Sequence, residues 1–159
     1  MSWAKAREGY PSLELQVMDR EDEEAAIDWC AEQFGSDGSG FSEADPVDWP
    51  APDEEFLADE TKSNHLEMAM NEAFAQGVAG YAQDIIVTGR AWPFDPSEIR
   101  CPVDVVHGKM DDIVPKSHSR HTADVIPTAT LRMVPGHGHA SIMGELPRLT
   151  ADFVESAGN

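Results

Sequence analysis

Two short apolar runs in the last third of the chain limit what it can fold into more than any other feature. The runs are "VDVV" at 103–106 and "TLRMV" at 130–134. Each is followed by a polar turn and then by a helical segment, at 117–126 and 146–158. Strand, helix, strand and helix in this order are the pattern of a parallel crossover unit. The sequence therefore predicts an α/β fold for this part of the chain.

A sheet of only two parallel strands is the difficulty in this prediction. Parallel sheets normally contain several strands and are covered by helices on both faces, and an isolated pair of strands is marginally stable. We therefore expect residues 93–159 to form the edge of a larger sheet. The chain would then be a truncated fold or one completed by another polypeptide.

Residues 1–92 are predicted to be helical. The stretch "DREDEEAAIDWCAEQFG", at 19–35, has acidic residues in its first turn, with Asp19 as the predicted N-cap and Gly35 after the last turn. An apolar stripe at helical spacing supports this helix. The stripe consists of Ala26, Ile27, Cys30, Ala31 and Phe34.

A loop and a longer helix are predicted to follow. Residues 36–55 are rich in Gly, Pro, Ser and Asp, which is typical of a loop. The next stretch, 63–89, has apolar residues at helical spacing. Gly77 and Gly80 weaken this helix, so we expect a kink or close packing near them.

The charge of the chain excludes several classes of partner. It has 11 Lys and Arg against 30 Asp and Glu, for a formal net charge of −19. Such a surface repels phosphate backbones and anionic lipids, so we expect no nucleic-acid or membrane partner. The two cysteines, Cys30 and Cys101, do not form a CxxC pair, and no metal or other cofactor is expected. With no apolar run of transmembrane length and no signal peptide, the sequence indicates a cytoplasmic protein.

Polar residues with catalytic chemistry follow both apolar runs. Asp111 and Asp112 lie in the turn after the first run, and His139 lies in a glycine-flanked turn after the second. An imidazole activates a serine hydroxyl by taking its proton, and it needs a buried carboxylate to fix its tautomer. Because the carboxyl ends of parallel strands share one edge of a sheet, we expect this acidic pair, through either Asp111 or Asp112, to lie close to His139.

This pattern resembles the C-terminal portion of the α/β-hydrolase family. The matching residues are Pro102-Val-x-Val-Val-His107-Gly108-x-x-Asp111-x-x-Val114-Pro115 and Val134-Pro135-Gly136-x-Gly138-His139. The resemblance implies that Asp111 is the acid and His139 the base of a catalytic triad. It also implies serine-type hydrolysis of a small apolar ester or amide.

The nucleophile of such a triad has no counterpart in this sequence. The family places it in a G-x-S-x-G turn between a strand and a helix. Ser36 and Ser39 lie in glycine-rich surroundings but match that motif only in part, and both follow a predicted helix. We therefore expect the chain to supply only the acid and base, and to be inactive by itself.

The helical segment 1–92 resembles the cap, or lid, of this family, and the stretch "EAFAQGVAGYAQDIIVTGRAWPFDPSEIRCPV", at 72–103, resembles the return from cap to core in proline-iminopeptidase-like and related hydrolases. A cap of this kind closes over the active site and forms an apolar roof. The resemblance implies that aromatic residues of the segment contact the substrate, with packing in a hydrophobic core as the alternative for each of them. The candidates are Trp29, Phe34 and Trp92, with Trp49 and Phe74 as further members of the same surface.

Two alternatives remain open. The first is a non-catalytic binding or dimerisation module derived from the hydrolase fold, which would form homo-oligomers through an exposed sheet edge. The second is a metal site formed by His118, His121, His137 and His139 with acidic residues, although no zinc-binding motif is present. His107 is expected to pack beneath the first turn.

Overall fold

The computed structural model describes residues 16–20, 22–41, 47–89 and 92–157, and its architecture is mixed α/β. Among these residues the helices are α1 (Glu23–Phe34), α2 (Ala51–Leu57), α3 (Glu60–Ala73), α4 (Ala79–Gly89), α5 (Lys116–Val125) and α6 (Leu146–Ala157). The strands are β1 (Val103–Gly108) and β2 (Ala129–Val134), and short 3-10 helices span Pro96–Glu98 and Ser141–Gly144.

The described residues form two compact units. The first contains those up to Asp48 together with Ser63–Pro93, and the second contains Trp49–Lys62 together with those from Phe94 onward. Residues 49–62 thus belong with the strands. The predicted division between a cap at 1–92 and a core at 93–159 stays a prediction.

Helix α1 begins and ends where its capping residues dictate. The Asp22 side chain accepts a hydrogen bond from the backbone N–H of Ala25 at 2.9 Å, so Asp22, and not the predicted Asp19, is the N-cap. Asp22 directly precedes the first turn, whose acidic residues Glu23 and Glu24 are favoured by the partial positive charge at the helix N-terminus. Gly35 ends the helix with a φ of +81°, as the sequence predicts.

The predicted apolar stripe of α1 is confirmed as the core of the first unit. Phe34 is 2 % exposed, and its ring meets those of Phe41 and Tyr81 edge-on, with centroids 5.4 and 5.7 Å away. Such edge-to-face pairs add to the stabilisation that burial provides. The buried members of this core are Val17, Ala26, Cys30, Phe34, Val78, Ala82 and Ile86.

The stretch predicted as one helix over 63–89 is divided between α3 and α4. Gly77 adopts a φ of +78° between the two helices, and a Cβ atom there would lie 2.6 Å from the carbonyl oxygen of Ser36. The N–H of Val78 donates to that same oxygen at 3.1 Å. The predicted close packing near the glycines is therefore found at Gly77, where it interrupts the helix.

The predicted strand–helix–strand–helix order is confirmed in the second unit. Strands β1 and β2 pair in parallel, from Val103 opposite Ala129 to Gly108 opposite Val134. Helix α5 connects them and packs on both strands. Both strands therefore end at the same edge of the sheet.

One prediction for this unit is wrong. Residues 36–55 are predicted to be a loop, but α2 begins at Ala51. Pro52 lies in the first turn of α2, where its missing N–H costs nothing, and Asp53 and Glu54 add the negative charge that a helix N-terminus favours. The helix places Asp53 inside the unit, fully buried.

None of the helices within the described ranges combines the length and the apolar character that crossing a bilayer requires.

Candidate functional site

The turns after the two strands are tied together by their backbones. The N–H of Lys109 donates to the carbonyl oxygen of Val134 at 2.8 Å, and that of Met110 donates to the oxygen of His137 at 2.9 Å. A Cβ atom at Gly108 would lie 2.4 Å from the carbonyl oxygens of both His137 and Gly138. Glycine at the end of β1 is therefore what lets the second turn cross so closely.

Asp111 is buried and oriented by its own turn. Its carboxylate is 6 % exposed, and Oδ1 accepts hydrogen bonds from the N–H groups of Ile113 and Val114, both at 2.9 Å. These bonds fix the orientation of the carboxylate and leave Oδ2 for a different partner. The side chain of Asp112, the alternative acid, is 79 % exposed and lies 3.7 Å from the Lys116 ammonium.

His139 lies beside Asp111. Gly136, with a φ of +76°, makes the turn after β2. Five residues beyond the end of β2, the imidazole Nδ1 of His139 lies 3.2 Å from Oδ2 of Asp111. The His139 side chain is 43 % exposed, and a ring held through Nδ1 presents Nε2 on its opposite side. The structure thus brings together the two residues that the sequence predicts as acid and base.

His107 is a second histidine against the same carboxylate. Its side chain is 6 % exposed, and its Nε2 lies 3.8 Å from Oδ2 of Asp111. Burial lowers the pKa of His107, and the negative charge of Asp111 opposes this shift only in part. Neutral His107 therefore packs against Asp111 without competing as a cation for its charge.

Asp53 and Ser141 are the residues of this region that the sequence did not indicate. Oδ2 of Asp53 accepts the N–H of His139 at 2.7 Å. Oδ1 accepts both the N–H of Ser141 at 2.8 Å and its hydroxyl at 2.6 Å. Nothing local marks Asp53 for this, because its proline and acidic neighbours are common both in loops and in the first turn of a helix. A signal exists only in the pairing of residues 86 positions apart.

The aromatic candidates lie in different places. Trp49 belongs to the second unit, and its ring is nearly parallel to that of His139, with centroids 6.4 Å apart. Phe34 lies in the core of the first unit, and Trp29 packs against that core beneath the Arg20 guanidinium. Trp92 is 44 % exposed and donates its indole N–H to the oxygen of Val87. Substrate contacts by Trp29, Phe34 and Trp92 stay predictions.

The structure also locates the serines and the remaining histidines. Ser36 and Ser39 lie in the turns after α1, in the first unit. His137 is held by the oxygen of Pro135, 3.0 Å from its Nδ1, and lies 3.8 Å from the Glu145 carboxylate. Over the described ranges, no three His, Cys, Asp or Glu side chains converge as they would around a metal ion.

The comparison with known families gives no assignment, because no family model matches the chain. The chemistry available to the site therefore has to be argued from its geometry. A buried carboxylate that accepts Nδ1–H of an imidazole selects one tautomer and stabilises the imidazolium once it forms. Such a pair is suited to general base catalysis, in which the other ring nitrogen takes a proton.

Proposed function

We propose that the chain belongs to a serine-type α/β-hydrolase and supplies the acid and base of its triad, Asp111 and His139. The observation that carries the proposal is the 3.2 Å contact between Nδ1 of His139 and Oδ2 of Asp111 at the shared end of two parallel strands. In this interpretation the sheet is the last part of a partial α/β-hydrolase core, and the helical segment 1–92 is its cap.

The two residues have distinct roles in the proposed reaction. Asp111 accepts Nδ1–H of His139, so Nε2 carries the lone pair that removes the proton from a serine hydroxyl. The serine oxygen then attacks the carbonyl carbon of the ester or amide, and His139 passes the proton to the leaving group. In the second half of the reaction, His139 takes a proton from a water molecule, whose oxygen attacks the acyl carbon. The bond from that carbon to the serine oxygen breaks, His139 returns the proton to the serine, and the acid is released.

The serine has to come from outside the printed sequence, which contains no G-x-S-x-G motif. The proposal therefore needs a second segment of polypeptide with a strand, that turn and a helix. By itself the chain is expected to have no hydrolase activity.

Apolar residues beside His139 in space, or close to the two turns in sequence, favour a small apolar substrate. The Trp49 ring lies beside the imidazole, and Met110 and Met143, which follow β1 and His139 in sequence, are 45 % and 59 % exposed. Exposed methionine side chains and a partly buried tryptophan ring provide adaptable apolar contacts. Ester or amide substrates with short hydrocarbon groups fit these surroundings.

The first experiment is to read roughly 400 bases upstream of the Met1 codon, about the coding length of a missing half-domain. An in-frame strand, G-x-S-x-G and helix would supply the nucleophile. The completed protein is then assayed with p-nitrophenyl esters of short acids. His139→Ala is expected to lower kcat by roughly 10⁴-fold or more, because the serine and His139 act as one unit and the serine hydroxyl is not activated without the imidazole.

His121→Ala is the matched control, since His121 lies on α5 and has no part in the proposed reaction. It is expected to leave kcat unchanged. Full activity of the His139→Ala protein would refute the proposed role of this histidine.

A second candidate function is the non-catalytic binding or dimerisation module. The observation that favours it is the sheet itself, because in the described part of the chain β1 and β2 pair only with each other. Among the residues that the structure describes, no strand pairs with the outer edge of β1 or of β2, and a further strand can bind there. Sedimentation experiments would report the oligomer, and thermal unfolding would report whether it melts cooperatively. A cooperatively melting oligomer, together with unrelated sequence upstream of the Met1 codon, would favour this module over the hydrolase.

A further inference from the structure

Asp53 is a buried carboxylate to which the proposed reaction gives no role. It is completely buried, and it lies 86 residues before His139 in the sequence. A buried carboxylate is costly unless its oxygens are paired. All the partners that the structure gives this carboxylate lie between Gly138 and Ser141, in the segment that carries His139.

The partners of Asp53 are all donors. The N–H of His139 occupies Oδ2, and the N–H and hydroxyl of Ser141 occupy Oδ1. Burial by itself raises the pKa of Asp53, but the hydrogen bonds from Ser141, Ala140 and His139 outweigh it and lower the pKa below its ordinary value. The site is therefore built for an ionised carboxylate with two acceptor oxygens.

Ser141 extends this network to the residue before His139. Its hydroxyl donates to Asp53 and accepts the N–H of Gly138 at 2.8 Å. A Cβ atom at Gly138 would lie 2.5 Å from Oδ2 of Asp53, so the missing side chain is what allows the carboxylate to approach. The backbone is thereby held on both sides of His139.

Helix α2 holds Asp53 in position. The N–H of Asp53 donates to the oxygen of Pro50 at 2.7 Å, within the first turn of α2. Phe56 of the same helix packs on Gly144, where a Cβ atom would come within 3.1 Å of its ring. Helix α2 thus holds the Asp53 carboxylate against the 138–141 segment. The same helix packs against the 3-10 helix Ser141–Gly144, at the end of that segment.

We propose that Asp53 is the positioning residue for His139. It holds the main chain of His139 at the distance from which the imidazole reaches Asp111. The catalytic meaning of this role rests on the proposed hydrolase function, but the positioning itself does not. It is therefore tested on the chain as it exists.

The test uses NMR of the full chain at about pH 8, above the ordinary titration of histidine. Long-range ¹H–¹⁵N spectra report the tautomer of the His139 ring, and hydrogen exchange reports the protection of the His139 and Ser141 amides. In Asp53→Asn, the amide NH₂ faces a backbone donor. We expect loss of the fixed His139 tautomer and about tenfold or greater loss of amide protection. Asp111→Asn serves as the reference variant and is expected to lose the same tautomer.

Asp104→Asn is the matched control. Asp104 is 10 % exposed and pairs with Arg132 at 2.8 Å in the sheet, so it is another mostly buried aspartate of the same unit. Its replacement is expected to leave the His139 ring signals unchanged. If Asp53→Asn also retains them, Asp53 does not position His139 and the inference is wrong.

Ser141→Ala decides the question if Asp53→Asn does not fold. It removes the acceptor of the Gly138 amide but leaves two backbone donors on the Asp53 carboxylate. Because the His139 N–H still donates to Asp53, we expect loss of protection at Gly138 with the His139 amide protection and ring signals retained. Loss of the ring signals would show that Ser141, and not Asp53, positions His139, and would overturn the inference.

The esterase assay separates this inference from the proposed function. Loss of the His139 tautomer in Asp53→Asn supports positioning even if the completed protein hydrolyses no ester. An active completed protein with unaltered ring signals in Asp53→Asn refutes only the role of Asp53.

Discussion

Replacement of Gly138 by alanine isolates the contact between the His139 segment and Asp53. Gly138 does not have a positive φ, so the backbone accepts alanine without strain. The new Cβ atom would lie 2.5 Å from Oδ2, 2.7 Å from Oδ1 and 2.7 Å from Cγ of Asp53. The three atoms nearest to the new Cβ atom thus all belong to one buried carboxylate, so the collision with Asp53 is the main effect of this substitution.

The size of the effect follows from the distances. The new Cβ atom and Oδ2 of Asp53, 2.5 Å apart, have to separate by roughly 0.9 Å to reach ordinary carbon–oxygen contact. A shift of that size lengthens the 2.7 Å hydrogen bond from the His139 N–H to Oδ2 to about 3.6 Å, beyond hydrogen-bond range. Loss of a hydrogen bond to a charged group and local overpacking together destabilise the second unit by about 2–4 kcal/mol.

Urea unfolding monitored by circular dichroism measures this difference. Gly80→Ala is the control, because Gly80 lies in α4 with nothing within 4 Å of its added Cβ atom. That substitution is expected to stabilise the protein by about 0.5 kcal/mol through its effect on the helix. A Gly138→Ala protein as stable as the wild type would show that Asp53 does not pack against Gly138 as described.

Two further predictions concern buried groups. Burial raises the pKa of the Cys30 thiol to about 11. A thiol reagent at mildly alkaline pH should therefore modify the exposed Cys101 in the native protein and Cys30 only in denaturant. Equal modification rates of the two cysteines in the native protein would contradict this. Burial also lowers the pKa of His107 from 6.5. The contribution of neutral His107 to the free energy of unfolding is therefore fully present above pH 6.5 and is lost as the pH falls towards the folded-state pKa. The loss amounts to at most about 1.4 kcal/mol per pH unit. His107→Asn should flatten this part of the stability–pH curve, and an unchanged slope in urea titrations would refute the assignment.

The order of strands and helices in the second unit was predictable because each element has a local signal. Apolar runs of strand length, helical spacing between them and glycine after each strand all occur within the last third of the chain. The approach of His139 to Asp111 then follows from topology, since adjacent parallel strands end at one edge.

The parts that the sequence did not predict depend on interactions between distant segments. Gly77 interrupts the predicted helix over 63–89 because the chain there approaches Ser36, which no helical propensity reflects. The sequence predicts a loop at Asp53 because proline and acidic residues are common both in loops and in the first turn of a helix. Its burial is decided by donors 86 and 88 residues away.

His139 shows why strand ends alone do not make a site of this kind. Backbone hydrogen bonds between the two turns extend as far as His137, through its contact with Met110. Beyond that point the N–H groups of Gly138, His139 and Ser141 are taken by the Ser141 hydroxyl and the Asp53 carboxylate. General base catalysis needs an imidazole placed to within about 0.5 Å, which topology cannot provide. Asp53 thus fixes where the main chain of His139 lies and Asp111 fixes how its ring is turned, so loss of either should disorder the imidazole.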